Sequence, residues 1–251
     1  MTFTNSSLIT YKNITSNKTT NRNHAIDTIT IHCFVGQVTA KQGCDYFKTT
    51  DREVSSNYVV GHDGSIGLSV DEKDRAWTSS NSANDHRAVT IEVACDSYAP
   101  YKVTNKAYNA LINLVADICQ RNGIKELKWK GDKSLIGNVN KQNMTVHRWF
   151  APTACPGEYL FNKHSDIAKD VNKKLKKESS FGEYRIKVTA DALNIRKTPK
   201  FTKSDIVGVI RDKGVYTIVA EKKVAGIPMG KLKSGKGWVS LRSKYSRKLE
   251  D

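Results

Sequence analysis

The sequence of 251 residues contains no apolar run near the roughly 20 residues that cross a bilayer, so a helical membrane protein is excluded and no membrane partner is expected. Its opening stretch, MTFTNSSLITYKN, lacks a basic segment followed by an apolar one, so no conventional secretory signal is expected. Internal repeats and low-complexity tracts are missing too. The five cysteines (Cys33, Cys44, Cys95, Cys119 and Cys155) are odd in number and include no CxxC pair. That argues against a disulfide framework or a zinc finger and fits synthesis in a reducing compartment. Acidic residues are scarce, 25 against 41 basic ones, for a formal net charge of +16. An excess of this size favours a polyanionic partner, but charge alone does not say which. Apolar residues make up 38%, enough for a packed core and too many for a disordered chain.

The chain divides into two parts. Residues 173–187 read KKLKKESSFGEYRIK, a charge run followed by Ser-Ser and Gly, which marks a helix end and a linker. The boundary is expected near residues 179–182, giving domains 1–178 and 183–251. Upstream, helical and strand patterns alternate; downstream, short strand-like runs are separated by turn residues, as in a small barrel. From residue 179 onward there are 17 basic and 7 acidic residues, so this segment carries +10 of the net charge.

Three runs upstream alternate with period two. In residues 28–33 (TITIHC), Ile29, Ile31 and Cys33 share one face and Thr28, Thr30 and His32 the other. In residues 89–95 (VTIEVAC), Glu92 and Thr90 oppose Val89, Ile91, Val93 and Cys95. In residues 144–147 (MTVH), Thr145 and His147 oppose Met144 and Val146. Residues 105–122 read as an amphipathic helix with Thr104 as N-cap and Gly123 as its stop. A second helix is expected near 166–177, with Ile167, Val171 and Leu175 at four-residue spacing. The mixture predicts an α/β domain, a mixed central sheet covered by helices.

His32, His147 and Cys155 form a candidate metal set. Two imidazoles and a thiolate suit zinc, and three protein ligands leave the fourth position that a hydrolase needs for water or substrate. The alternative is two surface histidines and a core thiol. Pro152 and the Pro156-Gly157 pair fix a tight loop around Cys155, which favours a rigidly held ligand. Glu92, mid-strand on the polar face, is costly there without a role.

The segment HRWFAPTACPGEYL resembles the C-terminal metal motif of type 2 N-acetylmuramoyl-L-alanine amidases, a family that includes phage amidases and the animal peptidoglycan recognition proteins. TITIHCF resembles the strand bearing the family's first histidine, SSNYVVGHDGSI its hairpin, and HRAVTIEVACD its central strand. These motifs stand in family order across about residues 23–175. The resemblance implies a Zn2+ ion on His32, His147 and Cys155 and hydrolysis of the bond between the lactyl carbonyl of N-acetylmuramic acid and L-alanine. It implies Glu92 as general base and Tyr58 as a residue lining the metal. It places Thr153 where some relatives carry lysine; a hydroxyl there can hydrogen-bond the tetrahedral intermediate but supplies no charge. Trp77 matches a position beside the substrate groove, where packing is an equal reading. His62 is expected in a hairpin turn, His24, His86 and His164 have no ligand-like setting, and Cys33, Cys44, Cys95 and Cys119 read as core thiols.

Downstream, LNIRKTP resembles the LNVRSGP hallmark of bacterial SH3-type domains, with Lys213-Gly214 and Gly237-Trp238-Val239 fitting the later turn and strand. The usual Ser-Gly-Pro is replaced by Lys197-Thr198-Pro199, so the local turn is expected to differ. The resemblance implies a small all-β SH3-like barrel that binds the cell wall. The implied partners are peptidoglycan and, given the +10 charge, anionic wall polymers. Nothing resembles a nucleic-acid motif, so no nucleic-acid partner is expected. A cysteine hydrolase using Cys155 and His147 is disfavoured by a cysteine read as lying in a loop, away from any helix N-terminus. A non-catalytic wall receptor is the other alternative; Cys155, which such receptors lose, argues for an enzyme. Together these features look like a phage endolysin, made in the host cytoplasm and acting on the wall after release, with a bacterial autolysin as the rival.

Overall fold

A computed structural model describes residues 3–179 and 182–249. It separates into two compact units, Met1–Leu175 and Lys176–Asp251. Residues 180 and 181, inside the expected boundary, lie outside the described residues. Among the described residues no helix is long and apolar enough to cross a membrane.

In the first unit the chain runs through β1 (Tyr11–Lys12), β2 (Lys18–Thr19), β3 (Thr28–Val35), α1 (Ala40–Thr49), β4 (Tyr58–Val60), β5 (Ile66–Leu68), β6 (Arg75–Ala76), α2 (Ser82–Arg87), β7 (Ala88–Cys95), α3 (Asn105–Arg121), β8 (Met144–Thr145) and α4 (Gly157–Ser179). Six strands form a mixed sheet in the order β1-β5-β4-β7-β3-β8. The two long strands β3 and β7 are parallel neighbours in its middle, with Ile31 opposite Ile91 and His32 opposite Glu92. Side chains alternate across a sheet, so this register puts His32 beside Glu92 on one face and Ile31 beside Ile91 on the other.

The apolar face packs against α3 and α4. Ile29, Ile31, Val89, Ile91 and Val93 meet Leu111, Leu114, Val115 and Ile118 of α3 and Leu160, Ile167 and Val171 of α4, all buried. Both ends of α3 lie where the sequence marks them. The Thr104 hydroxyl accepts from Ala107 N, and past the last turn Ile124 N returns to Cys119 O at 2.8 Å while Gly123 takes φ +72°. This six-to-one bond around a left-handed residue needs the glycine. α4 begins nine residues earlier than the expected 166. On the opposite face, α1 packs Cys44 and Phe47 onto Val59 of β4. A Cβ at Gly43 would stand 2.6 Å from Val59 Cγ1, so the absence of a side chain lets α1 sit this close.

The second unit is all β, as expected. It comprises β9 (Tyr184–Val188), β10 (Leu193–Arg196), β11 (Ile206–Ile210), β12 (Val215–Val224), β13 (Ile227–Leu232), β14 (Trp238–Ser240) and β15 (Ser246–Lys248). The strands pair antiparallel in the order β11-β10-β14-β13-β12-β9-β15. Ile186, Val188, Leu193, Ile195, Ile210, Ile218, Leu232 and Val239 form its buried core. In the β12–β13 hairpin, Ala225 and Gly226 both take positive φ, the two-residue turn whose twist matches paired strands.

Candidate active site

The polar face of the central strands is a ladder of matched residues. Thr30 of β3 pairs with Thr90 of β7 on one side and Thr145 of β8 on the other. The Thr30 and Thr145 hydroxyls are 2.7 Å apart, and the amide of buried Asn84 bonds to both. Above this ladder stands His32, fully buried. Its Nδ1 lies 3.4 Å from Cys155 Sγ and 4.0 Å from Glu92 Oε1, and its Nε2 lies 3.2 Å from Ser79 Oγ. Ser79 is held in turn: Asp85 accepts from the backbone N–H groups of Thr78 and Ser79, and Asn84 donates to the Ser79 hydroxyl. This network steers the imidazole so that Nδ1 faces the other candidate ligands.

His147 does not lie on a strand. β8 ends at Thr145, and His147 opens a single 3-10 turn, His147–Trp149. Its ring centroid is 5.1 Å from that of His32, and its Nε2 is 3.3 Å from the Ser80 hydroxyl. Ser80 takes φ +56°, a conformation costly for a non-glycine residue. Cys155 follows a loop of seven residues. The donor atoms of His32, His147 and Cys155 all lie within 4.8 Å of one another. Burial pushes the pKa of both imidazoles down, so both are neutral near pH 7 and carry lone pairs for a metal. Two neutral imidazoles and a thiol form a donor set that fits zinc.

Glu92 shares this face. One carboxylate oxygen faces His32, and the other, Oε2, is buried without a hydrogen-bond partner. Burial, with the nearby Cys33 thiol, pushes its pKa up to about 8. A cation on the adjacent ligands would oppose that rise and favour the carboxylate. A cleft of about 450 Å³ opens beside it, lined by Phe34, Tyr46, Phe47, Arg52, Val54, Trp77, Thr78 and His147. Trp77 is therefore a cleft residue; its indole N–H is tied to Thr19 Oγ1 at 2.9 Å.

Tyr58 is not in the site. It pairs with Ile91, so it shares the apolar face, while its neighbour Val59 shares the face of Glu92. Its buried hydroxyl donates to Glu72 Oε1 at 2.6 Å and accepts from Ser6 N at 2.8 Å. Glu72 is held by Arg121 of α3 through both oxygens. Tyr58 thus tethers the N-terminal segment to α3, on the side of the sheet away from Glu92. Thr153 lies exposed, and its hydroxyl accepts from Cys155 N at 3.2 Å, which shapes the ligand loop.

Cys33 packs against the apolar core, as expected, and is half-buried; it also lines the cleft. Cys44, Cys95 and Cys119 are buried, and all five cysteines are free thiols. His62 sits in the β4–β5 turn against Val38 O, and His164 lies buried in α4. Ser79, Ser80 and Asn84 had no signal in the sequence as site residues; Ser79 and Ser80 reach His32 and His147 from 47 and 67 positions away, and Asn84 acts through Ser79. Cys155 lies two residues before α4, so the expectation that it stands away from a helix N-terminus does not hold. The neighbouring Cys33 and burial push the Cys155 pKa up, which weighs against a free nucleophilic thiolate there.

A family model described as N-acetylmuramoyl-L-alanine amidase matches residues 22–158, which include every residue of this site. The chain belongs to the N-acetylmuramoyl-L-alanine amidase family. As such it is an enzyme that hydrolyses the amide joining N-acetylmuramoyl to L-alanine in peptidoglycan. No curated protein matches the sequence significantly. Among solved structures, the selenomethionine derivative of AmpD is similar at 16% identity and TM-score 0.50, over 67% of this chain and 99% of that one. PlyL is similar at 17% identity and TM-score 0.48, over 64% and 95%. The N-acetylmuramoyl-L-alanine amidase LysC from Clostridium intestinale URNW is similar at 18% identity and TM-score 0.45, over 64% and 97%. The likeness to AmpD speaks for a shared fold.

Proposed function

We infer that this amidase is zinc-dependent, with His32, His147 and Cys155 as its metal ligands and Glu92 as its general base. The observation that carries this reading is the convergence of the three donor atoms within 4.8 Å, beside a carboxylate oxygen with no other partner, at the wall of an open cleft. Zinc held there would supply Lewis-acid polarisation of the scissile carbonyl and ease ionisation of water. The protein's own groups do the rest. Glu92, ionised beside a cation, takes the proton of the attacking water and returns it to the departing L-alanine amine. Ser79 fixes the His32 ring so that Nδ1 remains turned to the centre. Phe34, Tyr46 and Trp77 offer apolar walls against which the sugar and the stem peptide can lie, keeping bulk water from the reacting atoms.

The second unit serves, in this reading, as an SH3-like wall-binding module, and the whole chain works as an endolysin or autolysin. Its support is the strand order of an isolated all-β unit, the +10 charge of residues 179–251, and a cavity of about 310 Å³. Arg196, Phe201, Arg242 and Tyr245 line that cavity, and Arg196 lies over the Phe201 ring at 5.3 Å. Two guanidiniums beside aromatic rings suit an anionic group on a wall polymer. Five free thiols agree with synthesis in a reducing cytoplasm before action at the wall.

One experiment tests the chemistry: digestion of purified Gram-positive walls with end-group analysis. New L-alanine amines without new reducing sugars are expected; new reducing ends would assign a glycosidase instead. Sedimentation with walls tests the second unit. Replacing Arg196 and Arg242 by Ala together should weaken wall binding and flatten its salt dependence while leaving the metal content at wild-type level.

A further inference from the structure

Two of the three candidate ligands stand at the ends of one loop. His147 begins it, Cys155 ends it, and the residue next to His147 closes its neck. Arg148 N donates to Cys155 O at 3.1 Å. The Arg148 side chain folds back the same way: Nη2 donates to Ala154 O at 2.6 Å and Nη1 to Glu158 Oε1 at 2.7 Å. The guanidinium carbon lies 4.7 Å above the Phe161 ring of α4. The side chain is 22% exposed, whereas Glu158 is 62% exposed. One residue therefore grips the carbonyl before Cys155, the carbonyl of Cys155 itself, and the first two turns of α4.

The other end of the loop is anchored independently. Trp149 stacks on Trp129 with centroids 5.1 Å apart and planes 6° from parallel. With that turn fixed, the remaining freedom lies in the stretch from Ala151 to Cys155. Thr153 and Gly157 tighten it locally, through Cys155 N to Thr153 Oγ1 and Gly157 N to Ala154 O at 2.7 Å. Ala151 N ties the start of this stretch to His147 O at 3.2 Å, and Arg148 ties its far end, Ala154 and Cys155, back to the His147 turn. A planar guanidinium can hold the carbonyl and the carboxylate at once, which an ammonium on a flexible stem does poorly.

We propose that Arg148 is a positioning residue for the metal centre, a clamp that sets the separation of His147 and Cys155. It touches neither substrate nor the reacting atoms and acts through the Cys155 loop. The inference rests on the zinc reading above. Partners that orient ligands in this way typically contribute about 10–100-fold in metal affinity.

The test compares wild type, Arg148→Ala and Arg148→Lys as full-length proteins. Zinc affinity is read by chelator competition, and Cys155 ligation by the thiolate-to-metal absorption of the cobalt(II)-substituted protein. Arg148→Ala should bind zinc about 10–100-fold more weakly, with an altered cobalt band. Arg148→Lys should fall between it and wild type. Wall hydrolysis should drop at limiting zinc and recover most of its rate at saturating zinc, which a residue acting in the chemistry itself would not allow. Zinc affinity within about twofold of wild type in Arg148→Ala, with an unchanged cobalt band, overturns the proposal. Should Arg148→Ala fail to fold by circular dichroism, Arg148→Lys decides alone on the same criterion. A wild-type protein that takes up no zinc overturns the zinc reading, and this inference with it; normal wild-type uptake with unperturbed variants overturns the clamp only.

Discussion

Tyr58→Phe separates two roles that the sequence alone confounds. In the structure the Tyr58 phenol is buried and far up from its ordinary pKa, so it is a neutral donor throughout the working range. It makes two hydrogen bonds, one to the Glu72 carboxylate at 2.6 Å and one from Ser6 N at 2.8 Å. Losing a bond to a charged acceptor costs about 1.5–3 kcal/mol, and leaving a buried N–H unpaired adds about 1–3 kcal/mol. Glu72 keeps both Arg121 contacts, so the carboxylate is not stranded and the lower halves of these ranges apply. The expected loss is about 2.5–4 kcal/mol, or roughly 5–16 °C in the melting of a unit this size. Three of the four tryptophans, Trp77, Trp129 and Trp149, belong to the first unit, so their fluorescence follows its unfolding. Turnover of purified walls at 25 °C should stay within about twofold of wild type, because the phenol is on the face away from Glu92. A tenfold slower turnover with unchanged melting would refute this placement and return the phenol to the chemistry.

Glu92→Gln should keep zinc and melting temperature while slowing wall hydrolysis by roughly 10²–10⁴-fold, measured by the release of L-alanine amines. Dialysis against a chelator should abolish activity, and one equivalent of zinc should restore it; full activity in protein shown metal-free by elemental analysis would remove the metal from the mechanism. His164 is buried in α4, with Nδ1 donating to Leu160 O and Nε2 unpartnered, and burial pushes its pKa down to about 4. The unfolded chain therefore takes up a proton below about 6.5 that the native protein refuses until about 4, so stability falls as pH drops through that window, by about 2 kcal/mol between pH 7 and 5. His164→Gln should lose that part of the acid sensitivity in denaturant titrations at the two pH values; an unchanged difference would show that another group carries it.

What could be read from the sequence follows from the range of each signal. The alternation in residues 28–35 and 88–95 is long enough to fix which side chains share a face, and the structure adds that the two strands are parallel neighbours in a register that sets His32 beside Glu92. The three residues of β4, Tyr-Val-Val, do not alternate, so nothing in them says which face Tyr58 takes; the pairing of Tyr58 with Ile91 decides it, and that pairing joins residues 33 positions apart. The early start of α4 was hidden by His164, which reads as polar and breaks the apolar stripe between Leu160 and Ile167, although it is as buried as either. The serines and the asparagine that hold the histidines belong to a polar segment, residues 79–84, that reads as an ordinary turn. Their role arises because Asp85 binds two backbone N–H groups and turns Ser79 toward a strand 47 residues away. Arg148 shows the opposite limit. Its hydrogen-bond partners Ala154, Cys155 and Glu158 all lie within ten residues of it, yet an arginine beside a histidine in a loop has no pattern that separates a clamp from a solvated charge. Short-range periodicity marks His32 and Glu92, then, but not His147 and Cys155, which lie in a turn and a loop, and the aim of all four depends on pairings and turns that only the folded chain assembles; for that reason the residues that orient His32 and Cys155 are the informative targets for mutation.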